Sequence, residues 1–166
     1  VFEAHSTDYQ TASGLRDLVG GGFSILKVGP WLTFALREAL YALDGLADVM
    51  DGQVPQGRLM AAMEAAMQDA PANWQKYYHG DDHALWLQRH FSFSDRIRYY
   101  WPSEQAVAAV DDLMRRIGDR DIPGPVRSQF FPNSGLDGAG MTGRDLLLKA
   151  VRDVLDLYDD AVASGH

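Results

Sequence analysis

The sequence predicts a mixed α/β fold in which two parallel strands open the chain and helices follow. Two short apolar runs, residues 1–4 and 24–28, carry this prediction, because each ends in polar or turn-forming residues. Residues 11–19 between them are long enough for a short helix. A strand–helix–strand unit joins parallel strands, since that crossover needs about a dozen residues or more. Helical periodicity then dominates the remaining chain.

Two strands alone leave bare edges and faces. Parallel sheets need several strands and cover on both faces, yet everything after Pro30 is typical of helix and loop. The chain also begins with Val1, inside a strand and without a Met. We therefore expect residues 1–51 to be the last two βα units of a (β/α)8 TIM barrel. Residues 52–166 are then a helical C-terminal extension that packs on the barrel.

The helices follow from apolar residues at 3.6-residue spacing. This spacing predicts helices over residues 32–50, 58–68, 84–91, 103–117 and 143–163. In the first of them, Asp44, Asp48 and Asp51 are expected to form the solvated side. Asp69 and Pro71 predict the start of a further short helix. Residues 119–140 hold three prolines and four glycines and are expected to be irregular.

Composition excludes several classes of function. At 166 residues the chain has the length of one domain. Its net charge of −8 argues against nucleic acid and against anionic membrane surfaces as partners. The absence of Cys excludes disulfides and thiolate metal sites. No run of 18 apolar residues and no signal-peptide pattern occurs, so we expect a cytoplasmic protein with no membrane association.

Ionisable residues gather at the carboxyl ends of the two predicted strands. Side chains alternate along a strand, so Glu3 and His5 share one face, and Lys27 on the second strand can point toward them. Asp8 belongs to the polar tail that follows His5. Such convergence is typical of α/β enzyme sites and predicts a candidate site in the barrel lumen. The alternative is that Glu3 and Lys27 simply pair across the strands, with His5 hydrogen-bonded at the rim.

Residues 94–102 form the densest aromatic and basic run of the chain. Arg96 and Arg98 are candidate anion contacts, since Arg forks beside phenols suit phosphate recognition. The alternative is an interaction or interdomain anchor, because Tyr, Trp and Arg are enriched in such anchors. Within the run Asp95 can reach Arg98 or Tyr99.

Four blocks of sequence, at residues 2–10, 25–40, 74–78 and 94–102, together resemble one family. It is the family of non-catalytic subunits of class II D-tagatose-1,6-bisphosphate aldolase, from galactitol and N-acetylgalactosamine catabolism. The resemblance implies a (β/α)8 barrel of which this chain matches the final part. It also implies a separate catalytic aldolase subunit as partner, which this protein would activate and stabilise.

The resemblance further allows a comparison with catalytic class II aldolases. Those enzymes carry a zinc-ligating His followed by Gly and a phosphate-binding Ser at the end of the seventh strand. Here His5 stands at the zinc ligand, and Ser6 and Thr7 stand at the phosphate contacts, with Ser6 in place of the Gly. Gly29-Pro30 replaces the start of an Asn-containing run, and Pro lacks a backbone N–H donor. The resemblance thus implies an altered phosphate cradle and a zinc site whose other ligands lie outside this chain.

Two other functions remain open from the sequence. One is an active zinc-dependent sugar-phosphate aldolase or another sugar-phosphate enzyme, although a kinase is disfavoured because the chain contains no P-loop or other Gly-rich phosphate motif. The other is a sensor that binds a sugar phosphate without turnover. A homo-oligomer is among the assemblies that the sequence leaves open.

Overall fold

The chain opens with a strand–helix–strand unit whose strands are parallel. The computed structural model describes residues 1–135 and 140–163. Strand β1 (Phe2–Ala4), helix α1 (Ala12–Gly20) and strand β2 (Phe23–Leu26) follow in order. The two strands pair in parallel, with Glu3 opposite Ile25 and Ala4 opposite Leu26, and with an irregularity between Phe2 and Glu3. The predicted βαβ unit is therefore confirmed, and the fold is a mostly helical α/β fold with a small parallel sheet.

Helices form the rest of the described chain. They are α2 (Trp31–Met50), α3 (Arg58–Asp69), α4 (Asp82–Phe91), α5 (Glu104–Ile117), α6 (Gly124–Phe130) and α7 (Gly143–Ala163). Short 3-10 turns lie at Pro71–Asn73, Arg96–Tyr99 and Pro132–Ser134. Each helix predicted from periodicity is present, with small shifts at the ends. Among the described residues no helix is long and apolar enough to cross a bilayer.

Two predictions from turn-forming residues were wrong. Helix α6 lies in the stretch expected to be irregular, because its prolines stand before and within the first turn, where a missing backbone N–H breaks no helical bond. Residues 136–139 of that stretch lie outside the described residues. Asp69 does not start the following short helix. It is the last residue of α3, and only Pro71 stands where the sequence predicted it, at the start of the 3-10 turn.

Helix α2 is the central element of the core. It packs against α3, α5, α6 and α7, while α1 packs on α7. The buried apolar cluster includes Leu43, Leu46, Leu59, Met63, Leu113, Ile117 and Leu146. Since α7 contacts both α1 and α2, it joins the strand–helix–strand unit to the helical part of the molecule.

One face of α2 differs from the prediction. Asp44 and Asp48 are 2% and 0% exposed, so they do not form a solvated side. Arg116 of α5 reaches both carboxylates, at 3.2 Å from Asp44 and 2.5 Å from Asp48. Two backbone N–H groups also donate to them, that of Leu59 in the first turn of α3 to Asp44 and that of Gln56, just before α3, to Asp48. The pattern of apolar residues could not reveal these partners, because they lie far away in the sequence or on the backbone.

Candidate functional site

Glu3, His5 and Lys27 meet at the carboxyl ends of the two strands. The ammonium of Lys27 lies 2.7 Å from a carboxylate oxygen of Glu3 and 3.4 Å from Nε2 of His5. The same His5 nitrogen lies 3.4 Å from the Glu3 carboxylate. The parallel register produces this convergence, because residues that point to one side of neighbouring strands come together. All three side chains are partly exposed, so a ligand could reach them.

The sequence left two interpretations of these residues open, an enzyme site and a simple Glu3–Lys27 pair across the strands, and the distances satisfy both. An exposed Lys–Glu pair across two strands contributes little stability by itself, about 1 kcal/mol at most. A carboxylate, an imidazole and an ammonium within reach of one another are also the groups that general acid–base catalysis uses. The geometry therefore fits either a cross-strand ion pair or a site at the strand ends, where α/β enzymes place their catalytic groups.

Thr7 lies directly behind this cluster and is buried. Its hydroxyl donates to the carbonyl oxygen of Lys27 at 3.0 Å. The hydroxyl of Tyr158, on helix α7, donates to the carbonyl oxygen of Thr7 at 2.9 Å and lies 3.1 Å from the Thr7 hydroxyl. The sequence predicted Thr7 as a phosphate contact. In the structure its hydroxyl is already used inside the protein.

The carboxylate of Asp8 occupies the N-terminal end of helix α2. One of its oxygens accepts the backbone N–H groups of Gly29 at 2.8 Å and Trp31 at 3.0 Å. A Cβ atom at Gly29 would lie 2.8 Å from the other oxygen, so a larger residue would have to displace a carboxylate that two backbone hydrogen bonds hold in place. Asp8 was predicted to belong to the site of Glu3, His5 and Lys27. Its described contacts instead tie the loop after β1 to the loop after β2.

The loop after β1 contains two residues in the left-handed region. Ser6 has a φ of 57° and Tyr9 a φ of 60°. Non-Gly residues in this region cost free energy and persist where the surroundings hold them. The Tyr9 hydroxyl donates to the carbonyl oxygen of Phe93 at 2.8 Å, and its ring packs on Phe93 and Trp31. Burial, with nearby carboxylates, raises the pKa of this phenol, so it remains a neutral donor.

Arg96 and Arg98 make local contacts in the turn that follows α4. The guanidinium of Arg96 stacks 3.4 Å above the ring of Tyr77. That of Arg98 donates to the carbonyl oxygens of Ser94 and Asp95 and to the Tyr99 hydroxyl. None of these described contacts involves Glu3, His5 or Lys27, so the structure does not bring the two arginines to the strand-end cluster.

A buried ion pair anchors this same turn, and the sequence did not reveal it. Asp95 accepts the Thr33 hydroxyl at 2.6 Å and lies 3.4 Å from Nε of Arg37. The spacing placed Asp95 within reach of Arg98 or Tyr99, whereas the described hydrogen bonds of its carboxylate go to Thr33 and Arg37 of α2. Burial raises the pKa of the Asp95 carboxyl. One feature of the sequence could have indicated the Asp95–Arg37 pair. Arg37 lies next to the apolar positions of α2, and a buried arginine there needs a carboxylate partner.

A second buried cluster joins α2, α3 and α4. His90 is fully buried, with Nε2 at 3.1 Å from Glu64 and Nδ1 at 2.7 Å from the Tyr41 hydroxyl. Arg89 forms two hydrogen bonds with Glu64. Burial lowers the pKa of His90, against the opposing effect of Glu64. A neutral imidazole that donates to the carboxylate and accepts from the phenol satisfies both ring nitrogens.

Zinc was the metal implied for His5. Within residues 1–135 and 140–163 no group of three or more His, Asp or Glu side chains is placed to hold a metal ion. A catalytic zinc site uses three protein ligands, and here Glu3 is the carboxylate in contact with His5. The described residues by themselves therefore do not complete a zinc site, and the ligands implied outside this chain would have to supply the rest.

Comparison with known proteins shows which family the chain belongs to. A family profile described as D-tagatose-1,6-bisphosphate aldolase subunit GatZ/KbaZ-like matches residues 1–163. A D-tagatose 6-phosphate 4-epimerase of Agrobacterium fabrum is 49% identical over the whole chain, which covers 39% of that protein. The crystal structure of a probable tagatose 6 phosphate kinase from Sinorhizobium meliloti 1021 is 52% identical, with a TM-score of 0.90. That match covers 97% of this chain and 43% of the solved one, so the chain spans about two fifths of either relative. The chain belongs to the D-tagatose-1,6-bisphosphate aldolase subunit GatZ/KbaZ-like family.

Proposed function

We propose that this chain is part of a cytoplasmic enzyme that epimerises a tagatose-type ketose phosphate at C4. The observation that carries the proposal is the meeting of Glu3, His5 and Lys27 at the carboxyl ends of two parallel strands. The relative from Agrobacterium fabrum, named as a D-tagatose 6-phosphate 4-epimerase, supports the choice of substrate and reaction.

The proposal includes the barrel predicted from the sequence. Residues 1–51 would supply the last two βα units, and residues 52–166 the helical extension. Phe2 and Ile25 of the small sheet are 71% and 41% exposed, as expected for strands that lack their neighbours. A groove of about 810 Å³ also runs along β2, bounded by Leu155 and Val162 of α7. The free space beside β2 supports the docking of further chain against this strand.

The chemistry of the substrate limits the mechanism. In a 2-ketose the hydrogen at C4 is not adjacent to the carbonyl carbon, so direct removal of that proton gains no enolate stabilisation. Breaking the C3–C4 bond avoids this difficulty. A base takes the proton of the C4 hydroxyl, C4 becomes an aldehyde, and the electron pair of the C3–C4 bond forms an enediolate with the C2 carbonyl. Rotation of the aldehyde and re-formation of the bond return the proton to the C4 oxygen with inverted configuration.

The cluster offers groups for each part of this reaction. The Glu3 carboxylate or the His5 imidazole can accept the hydroxyl proton and give it back. The Lys27 ammonium can stabilise the negative charge that develops on the C2 oxygen, since a preorganised cation acts most strongly where charge forms. The same bond is broken in an aldol cleavage, which fits an epimerase within an aldolase-related family.

The phosphate of the substrate is not expected at the N-terminal end of α2. Asp8 already accepts the backbone N–H groups of Gly29 and Trp31 there, and a second anion would meet its charge. Of the predicted phosphate contacts, Ser6 is exposed beside His5, whereas Thr7 is buried. We assign Ser6 as a phosphate contact and leave Arg96 and Arg98 as anchors of their turn.

The test is turnover by the intact protein. Incubation with D-tagatose 6-phosphate should yield its C4 epimer, D-fructose 6-phosphate, in a coupled assay. Lys27→Met should lower kcat by about 100-fold or more, as loss of one preorganised charge contact does. Lys76→Met is the matched control, because Lys76 is an exposed lysine whose described contact is with the Tyr77 ring. Absence of turnover in the unmodified protein would refute the epimerase, and binding without turnover would favour a sensor.

The stabilising subunit of a class II aldolase is the second candidate. The description of the family and the Asp8-filled end of α2 both favour it, because a protein that lacks the usual phosphate cradle has lost part of an aldolase site. Its test adds the intact protein to a catalytic aldolase subunit with tagatose 1,6-bisphosphate. A longer half-life or higher activity of the partner, with no turnover by the protein alone, would select this function.

A further inference from the structure

Tyr158 links the last helix to the loop that follows the first strand. It lies 151 residues after Thr7, yet its hydroxyl donates to the Thr7 carbonyl oxygen at 2.9 Å. The same hydroxyl lies 3.1 Å from the Thr7 hydroxyl. The Tyr158 ring packs edge-on against Trp31, whose backbone N–H is bound by Asp8. Helix α7 therefore contacts the loop after β1 and the first residue of α2, the helix that follows β2.

Thr7 transmits this contact to Lys27. Because the single proton of the Tyr158 hydroxyl goes to a carbonyl oxygen, the proton of the Thr7 hydroxyl is free for the carbonyl oxygen of Lys27, 3.0 Å away. The backbone N–H of Lys27 donates to the carbonyl oxygen of Ala4 at 2.9 Å. Both backbone polar groups of Lys27 are thus held, and its side chain starts from a defined point toward Glu3 and His5.

The loop needs such support because its conformation is strained. Ser6 and Tyr9 flank Thr7 and Asp8, and both have left-handed backbone conformations that non-Gly residues adopt at a cost. Thr7 is 2% exposed. Without its contacts, relaxation of Ser6 would turn the adjacent His5 away from Lys27.

We propose that Thr7 and Tyr158 are positioning residues, through which helix α7 aligns Lys27 and His5 with Glu3. The catalytic consequence rests on the proposed function, whereas the structural consequence does not. The enzyme site would then depend on a residue near the end of the chain that touches none of the three reacting groups.

The experiment compares two Tyr→Phe variants of the intact protein. Tyr158→Phe removes the contact with Thr7 and keeps the ring. Tyr100→Phe is the matched control, because the buried Tyr100 also donates to a backbone carbonyl, that of Ala70 at 2.5 Å, within the helical part of the chain. We expect kcat to fall about 10- to 100-fold in Tyr158→Phe, as displaced catalytic groups do, with KM changed less than about threefold. The control should keep its kcat.

Two variants of Thr7 test whether Tyr158 acts on Lys27 through the Thr7 hydroxyl. Thr7→Val removes the hydroxyl and should lower kcat as Tyr158→Phe does, and the double variant should lose little more than either single one. Thr7→Ser keeps the hydroxyl and should restore most of the activity. Equal losses in Tyr158→Phe and Tyr100→Phe, or fully additive losses in the double variant, would overturn the inference.

Amide hydrogen exchange separates this inference from the proposed function. Peptides that cover residues 4–10 and 27–31 should exchange about tenfold faster in Tyr158→Phe and at the original rate in Tyr100→Phe. Unchanged exchange in Tyr158→Phe overturns the positioning role whatever the activity. Faster exchange in a protein that turns over no ketose phosphate supports the positioning role and refutes the proposed epimerase.

Discussion

The replacement of Asp48 by Ala gives the sharpest test of the buried charges on α2. Asp48 is fully buried and accepts Nη2 of Arg116 at 2.5 Å and the backbone N–H of Gln56 at 2.7 Å. Loss of two hydrogen bonds to a charged group, each about 1.5–3 kcal/mol, suggests a cost of about 3–6 kcal/mol, and removal of one member of a buried ion pair typically costs about 3–5 kcal/mol. We expect a value in the lower part of this range, because Asp44 lies 3.2 Å from Arg116 and remains as a counter-ion after Asp48 is removed.

The assay is urea unfolding of the intact protein, followed by circular dichroism at 222 nm, with the free energy of unfolding taken from the linear extrapolation. Asp112→Ala is the control, since it removes the same charge from an exposed pair with Arg115 and should cost about 0.5 kcal/mol or less. If Asp48→Ala costs no more than Asp112→Ala, Asp48 is solvated, as the helical pattern alone suggested, and the reasoning from burial is refuted.

Two further predictions concern the strand-end loops and the helical part of the chain. Gly29→Ala should cost about 1–3 kcal/mol of unfolding free energy in the same urea assay, because its Cβ would lie 2.8 Å from Asp8; Gly20→Ala, which would contact no atom within 4 Å, is the control, and equal values for the two would contradict the prediction. His90→Gln should reduce the fall in the free energy of unfolding between pH 7 and pH 5. The reason is that burial lowers the pKa of His90 below its ordinary 6.5 despite the Glu64 carboxylate. The unfolded chain then binds more protons, so stability is lost as pH falls below about 6.5, by at most about 1.4 kcal/mol per pH unit. Urea unfolding between pH 5 and 7 measures this slope, and an unchanged slope in His90→Gln would refute the assignment.

The helices could be predicted because the information for them is local. A capping box starts α7, where the Asp145 carboxylate accepts from both the backbone and the hydroxyl of Thr142. Ser103 likewise accepts from the backbone of Ala106 at the start of α5. Caps and periodicity involve neighbours within one turn, which the sequence displays directly.

The candidate site was predictable for a similar reason, but only in part. Glu3, His5 and Lys27 could be placed on one side because side chains alternate along paired strands. Thr7 and Asp8, next to them in sequence, were assigned to the ligand, yet their polar groups bind protein atoms from residues 20 or more positions away. A polar residue in a loop has many chemically suitable partners, and the sequence does not say which of them the fold brings near.

The sequence alone determined the α/β class, the order of the helices other than α6, the parallel pair of strands and the cluster of ionisable groups at their ends. Only the tertiary structure decided which charges are buried, that Asp44 and Asp48 lie against Arg116, and that Tyr158 reaches Thr7. The physical reason is distance along the chain. Secondary structure and strand alternation arise from interactions between near neighbours, whereas burial and hydrogen-bond partners arise from packing between elements that lie up to 151 residues apart.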